Sequence, residues 1–179
     1  TTYFGTVDGT FRMLSEDEIN YSILASIGGA IAWIFKPLGW GNWQAVVASI
    51  TGLIAKENIV GTLGILYGGG DGSVYSNLAS AFTPITAYSF LVFNLLCAPC
   101  FAAIGAIKRE MNNAGWTWFA IGYQCGFAYV IALMINQFGN LFTGNANLLG
   151  VVAATVFLAG MVYMLFKPYK EAAKLSAKP

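Results

Sequence analysis

The chain has 179 residues, 57% of them hydrophobic and only 9% charged, where soluble proteins carry ~25% charged residues. Asp71 and Lys108 are separated by 36 uncharged residues and Glu110 and Lys167 by 56, runs that no soluble core needs and that suit bilayer spans of ~20 apolar residues. A net charge of +1 without a basic, aromatic-interleaved stretch excludes a nucleic-acid surface. The composition predicts an all-α integral membrane protein whose first partner is the lipid bilayer.

The chain opens Thr-Thr and is polar through Glu18, with Asp8, Glu16 and Asp17 on the way. That is the reverse of a signal peptide, which opens basic and turns apolar. The expectation is a piece of a longer polypeptide, with residues 1–14 a polar segment ahead of a transmembrane domain over 15–166. Ser15 and Glu18 form an S-x-x-E capping box for a first helix over 16–35, closed by Lys36-Pro37. Ile23, Ile27, Ile31 and Ile34 share one face, and only 17 residues separate Glu18 from Lys36. A helix that short lies along the interface or falls short of crossing.

Residues 41–67 carry the least expected feature, Lys56 and Glu57 side by side in an apolar stretch with Gly52, Gly61 and Gly64 around them. A charge at the bilayer centre costs about 2.5–3.5 kcal/mol on insertion scales, so the pair reads as a coupling pair or a metal or substrate contact, with a structural ion pair holding the break together as the other reading. Two short glycine-interrupted halves with charge at the junction predict a broken or re-entrant helical hairpin. One continuous helix with the pair facing protein is the alternative. Glu57 can supply an oxygen ligand or take a proton, and Lys56 can neutralise it when empty.

"GGGDGS" (68–73) reads as a loop, and Thr83-Pro84 as N-cap and first residue of a helix over 84–107. Pro99 interrupts that helix and leaves main-chain acceptors free within the membrane. Cys97 and Cys100 flank the interruption, set three apart on one helix face with Asn94 near it. Thiolates with freed carbonyls suit a borderline divalent cation, and buried cysteines also serve as plain packing. Cys125, in "GYQCGF", reads as packing, and Tyr123 and Gln124 as interhelical or path-lining polar residues. Spans follow at 116–138, anchored by Trp116 and Trp118, and at 148–166, where Gly150 and Ala154 have the spacing of a close helix contact.

Lys108 and Arg109 in one loop, and Lys167, Lys170, Lys174 and Lys178 in the tail (167–179), put both segments in the cytoplasm. The N-terminal segment then comes out external. Glu110 falls in the cytoplasmic interface, where a solvated charge is ordinary and a site role is the alternative. There is no histidine, no nucleophile–base pairing and no G-x-x-x-x-G-K-[ST] phosphate loop. No enzyme activity is expected of this chain.

"PLGWGNWQAVVASITGLIAKENIVGTLGILYG", "LLCAPCFAAIGAIKRE" and "WTWFAIGYQCGFAYVIALMINQFG" together resemble the C-terminal membrane part of the ferrous iron transport protein B (FeoB) family, from about Ser22 to Gly139. The A-K-E-x-x-V-x-T-L-G-x-L-Y stretch and the later P-C…E arrangement resemble the second of that family's two Gate modules. The resemblance implies a bacterial cytoplasmic-membrane importer with Fe²⁺ as transported substrate. It also implies an N-terminal GTP-binding domain, with GTP and Mg²⁺, and a first Gate module as partners, neither within this chain. Self-association stays open. By the same resemblance Lys56 and Glu57 belong to the K-E motif, Cys100 is the cysteine of the P-C motif and Glu110 closes that helix. Cys97 and Cys125 are not fixed by the pattern. The transport path or gate is therefore expected at Lys56, Glu57, Cys97, Cys100 and Glu110, with Glu57 and Cys100 the metal-contacting candidates. The competing readings are a Gate-type permease for nucleosides or another small solute, a membrane thiol oxidoreductase using Cys97 and Cys100, and a purely structural subunit.

Overall fold

The computed structural model describes residues 4–7, 10–13, 22–68, 73–144 and 147–167. The Ser15–Glu18 capping box, most of the glycine-rich loop and the lysines beyond Lys167 lie outside these residues. Ahead of the helices, β1 (Phe4–Val7) pairs antiparallel with β2 (Thr10–Met13), a small hairpin that the sequence reading left without structure. Among the described residues, every later element is helical, as expected.

α1 (Ile23–Phe35) starts at Ser22, whose backbone is extended and whose Oγ accepts from the Ala25 N–H at 3.0 Å. The expected start near residue 16 is thus corrected: Ser22 supplies the cap, and 13 residues rise only ~20 Å against a ~30 Å hydrocarbon core. The isoleucine face is also reversed from what a soluble helix would show. Ile23, Ile27 and Ile34 are exposed, while Ala25, Gly28 and Ala32 are buried. Lipid is as apolar as isoleucine, so the protein-facing side is the one with small residues that allow close backbone approach. A Cβ on Gly28 would stand 2.8 Å from Val47 Cγ2 and 2.9 Å from the Trp43 carbonyl, which fixes α1 against α2 (Trp43–Gly52).

A 3-10 turn, Lys36–Leu38, and Gly39 at φ 89° turn the chain through 97° between these two helices. The elbow plants two side chains deep in the core while Lys36, Pro37 and Gly39 stay exposed. Leu38 and Trp40 are 0% and 1% exposed, and the Trp40 ring stacks on Phe35 at 4.6 Å and meets Phe90 edge-on at 5.0 Å. Its carbonyls are met by the long helices: Asn136 Nδ2 and Gln137 Nε2 donate to the Pro37 carbonyl at 3.0 and 2.8 Å, and Tyr129 donates to the Ile34 carbonyl at 2.7 Å. Ser89 Oγ sits between the Leu38 and Ala132 carbonyls, 3.2 and 3.0 Å away. These side chains satisfy the carbonyls of the bent backbone from within the protein.

α2 and α3 (Asn58–Leu66) fold back on each other. Asn42 Nδ2 donates to the Tyr67 hydroxyl at 2.8 Å across the base, and the Thr51 and Thr62 hydroxyls meet at 3.1 Å near the tip. The hairpin reading of 41–67 therefore holds over the continuous helix. α4 (Val74–Ala81) was not foreseen; Ser73 caps it, and Asn77 Nδ2 ties it to the Tyr67 carbonyl at 2.9 Å.

Three segments are long and apolar enough to cross a membrane: Pro84–Met111, Ala114–Phe142 and Leu148–Phe166. The first is two helices, α5 (Pro84–Leu96) and α6 (Phe101–Met111), broken where Pro99 predicts. Thr83 and Pro84 cap α5 as expected, with Thr83 Oγ1 accepting from the Thr86 N–H at 3.3 Å. α6 runs past the expected end at 107, because Lys108 and Arg109 suit the negative end of a helix dipole and Asn112 takes the left-handed stop at φ 45°. α7 (Ala114–Phe142) is longer than the expected 116–138 because Asn113 caps it, accepting from the Gly115 and Trp116 N–H groups. α8 (Leu148–Phe166) packs on α7 through the foreseen small residues: Ala154 is fully buried, and Gly150 lies so close to the Gln137 amide that no Cβ fits.

Candidate functional site

The hairpin tip, residues 53–57, meets the α5–α6 break, residues 97–100. Each interruption strands backbone groups, and each is met by the other. The Phe101 N–H, at the open start of α6, donates to the Leu53 carbonyl at the end of α2, 3.0 Å away. Pro99 has no N–H to offer the Leu95 carbonyl four residues back, and Lys56 Nζ takes that place at 3.0 Å. The same ammonium reaches the Cys97 carbonyl at 3.4 Å. Lys56 is thus a charged cap on the C-terminal end of α5, where a helix dipole favours a cation.

The crossing lies near mid-depth. Cys125, which lines the same cavity, is 11 residues into α7, or roughly 16 Å at 1.5 Å per residue, about half of a ~30 Å core. The elbow, held by Asn136 and Gln137, sits near the far end of α7. The base of the hairpin thus lies level with the ends of the long helices near Phe142 and Pro84, and its tip level with Cys125, near the middle of α7.

A cavity of about 250 Å³ opens beside the crossing. Its polar lining is Ser49, Lys56, Asn94, Cys97 and Cys125, and the rest is apolar, chiefly Phe35, Ile50, Ile59 and Phe93. Ser49 Oγ is buried with no hydrogen-bond partner, and Asn94 uses its Nδ2 on the Phe90 carbonyl at 2.8 Å.

The cysteines are arranged differently from the sequence reading. Cys97 ends α5 and Cys100 begins α6, so they do not share a helix face, because Pro99 breaks the helix between them. Cys97 Sγ instead faces Cys125 Sγ at 3.5 Å, with both thiols free. Cys125, read as packing, is thus a wall of the cavity. Cys100 is half-buried at the N-terminal position of α6 and makes no capping bond. Glu57 stands exposed on the hairpin tip at the start of α3, also without a capping bond. Glu110 is exposed in the last turn of α6. Tyr123 is exposed. Among the described residues no three Cys, Asp or Glu side chains gather in a group able to hold a metal ion. Sequence reasoning missed Ser89, Asn136 and Gln137. Their signal was present, since "INQFG" places two amides inside a span, where polar side chains bond between helices.

Comparison with known proteins bears on the same region. Residues 11–114 match the Gate family, described as nucleoside recognition. An Fe(2+) transporter FeoB of Methanocaldococcus jannaschii is 45% identical over 122 residues, 67% of this chain and 18% of the relative. The FeoB of Staphylococcus aureus strain COL is 38% identical over 125 residues, 70% of this chain and 19% of the relative. That of Salmonella typhimurium is 31% identical over 175 residues, 68% of this chain and 22% of the relative. The chain spans about a fifth of the length of these relatives. No solved structure matches.

Proposed function

We propose, for a chain that belongs to the Gate family and matches the membrane part of FeoB transporters, that it forms part of a path and gate for Fe²⁺. The supporting observation is the crossing of two broken helices near the middle of the long spans, with Lys56 on the Leu95 carbonyl that Pro99 leaves open and on the neighbouring Cys97 carbonyl. Such a crossing offers a cation what a bilayer does not: main-chain oxygens, thiols and a hydroxyl at the depth where it would otherwise be bare. Soft and borderline divalent ions accept that mixture of sulfur and oxygen.

The named residues take different parts. Glu57 projects from the hairpin tip, and an exposed carboxylate at mid-depth calls for a polar neighbour. In this reading the neighbour is the ion path, completed by a first Gate module elsewhere in the polypeptide. Cys100, beside the break, supplies a sulfur on the way through. Glu110, with Lys108 and Arg109, stands at the cytoplasmic mouth. The tail is cytoplasmic, residues 1–14 are external, and the membrane is the bacterial cytoplasmic one. GTP and Mg²⁺ belong to a domain outside this chain, which holds no phosphate loop of its own.

A nucleoside path is less well supported, because the cavity's few polar groups cannot read a base and a ribose together. The oxidoreductase reading loses its C-x-x-C pair to the helix break. The test is Fe²⁺ uptake by iron-transport-deficient bacteria expressing the complete polypeptide at matched membrane levels. Glu57→Gln and Cys100→Ser are each expected to lower uptake at least tenfold, whereas uptake at the wild-type rate in both would refute the site.

A further inference from the structure

We infer that the Lys56 ammonium is a tethered stand-in for the transported cation, occupying the main-chain oxygens that a passing ion must use, so that ion and ammonium exclude each other. The inference rests on the reading of this crossing as an ion path. It goes beyond it by assigning the closed state to a particular group.

Three observations carry it. First, Lys56 Nζ is coordinated as a cation is, by two carbonyl oxygens, Leu95 at 3.0 Å and Cys97 at 3.4 Å. Second, these oxygens lack helical partners for two reasons: Pro99 has no N–H for the Leu95 carbonyl, and the Phe101 N–H, four residues past Cys97, is spent on the Leu53 carbonyl, so the Leu95 acceptor persists whether or not Lys56 fills it. Third, Lys56 lines the cavity together with the facing Cys97 and Cys125 sulfurs. Two sulfurs each ~2.3 Å from a tetrahedral ion stand about 3.8 Å apart, close to the 3.5 Å seen between these thiols. A divalent ion entering there meets sulfur on one side and the two carbonyls on the other. A fixed positive charge on those carbonyls repels it, and the barrier falls only when the lysine stem swings away. The stem is four carbons long and freely rotating, which a swing requires and which a rigid plug would lack. Movement of the hairpin relative to the α5–α6 break would withdraw Nζ and uncover the oxygens in one step.

The experiment uses proteoliposomes holding the complete polypeptide without nucleotide, and measures anaerobic Fe²⁺ influx with a trapped chelating fluorophore. Wild type and Lys56→Arg are expected to stay tight, and Lys56→Met to pass Fe²⁺ at least tenfold faster. A Lys56→Met protein as tight as wild type overturns the inference. Should Lys56→Met fail to fold, Lys56→Leu carries the same test, because it fills apolar space with neither a donor nor a charge for the carbonyls. A leak supports the inference and a tight barrier overturns it. The two readings fail separately. A Lys56→Met leak that carries Na⁺ or K⁺ but no Fe²⁺ keeps Lys56 as the plug and removes the iron path. A tight Lys56→Met in a protein whose Glu57→Gln and Cys100→Ser variants have lost uptake removes the plug and keeps the path.

Discussion

Gly39→Ala tests the elbow that aims the hairpin. Gly39 sits at φ 89°, and a left-handed backbone costs a non-glycine residue about 1–2 kcal/mol. The added Cβ would lie 2.5 Å from Thr86 Cγ2 and 2.6 Å from Asn136 Oδ1. Ordinary contact needs roughly 1 Å more, so α5 or α7 must give way, an overpacking cost of about 1–3 kcal/mol. If Asn136 is the group that moves, its bond to the Pro37 carbonyl goes too, another ~1 kcal/mol. The total is about 3–6 kcal/mol, or a Tm lowered by roughly 6–24 °C at 2–4 °C per kcal/mol for a chain of this size. The assay is thermal unfolding of the purified protein in detergent, with Gly29→Ala as control. Gly29 lies in α1 with nothing near its Cβ position, so alanine there should be neutral or stabilising by up to ~1 kcal/mol. A Gly39→Ala protein melting within 2 °C or so of wild type, on that same scale, would show that the elbow is not seated between α5 and α7.

Asn42→Ala removes both the α2 cap and the bond to Tyr67 and should cost about 1–3 kcal/mol. Tyr67→Phe loses the bond alone and should cost less, and hydrogen exchange at the hairpin base ranks the two. Mild oxidation with diamide, which takes one hydrogen from each thiol, should join Cys97 to Cys125, 3.5 Å apart, and leave Cys100 open to alkylation. A Cys97–Cys100 disulfide in the peptide map would contradict the break between them. Pro99→Ala returns an N–H to the position that bonds the Leu95 carbonyl, so it should raise Tm while lowering Fe²⁺ uptake severalfold. Raised uptake would mean that the free carbonyl plays no part in transport.

The spans were legible because hydropathy over long uncharged runs reads directly as a membrane crossing, and Pro99 and Thr83-Pro84 act through local covalent geometry. The hairpin was legible in outline, since charge and glycine marked its tip. Other features were not. Which face of α1 meets protein was not encoded by its isoleucines, because lipid does not repel isoleucine and the contact is made by small residues instead. The start of α1 depended on which of two serines, Ser15 or Ser22, capped it. The Cys97–Cys125 contact joins residues 28 apart on different helices, and no local pattern encodes it. Lys56 could be singled out by its cost, but its acceptors could not, because they are main-chain atoms of a helix 39 residues away.

The mutual satisfaction of the two breaks also bears on how this protein is made. A chain emerging from the ribosome delivers the hairpin before the helices that complete it. Until residues 95–101 arrive, the Leu53 carbonyl lacks the Phe101 amide and Lys56 lacks its acceptors. The hairpin is therefore expected to stay where water can meet its stranded groups until α5 and α6 have inserted. The hydrogen bonding thus favours one order of insertion, and in a chain stalled before Phe101 residues 41–67 should remain open to aqueous labelling.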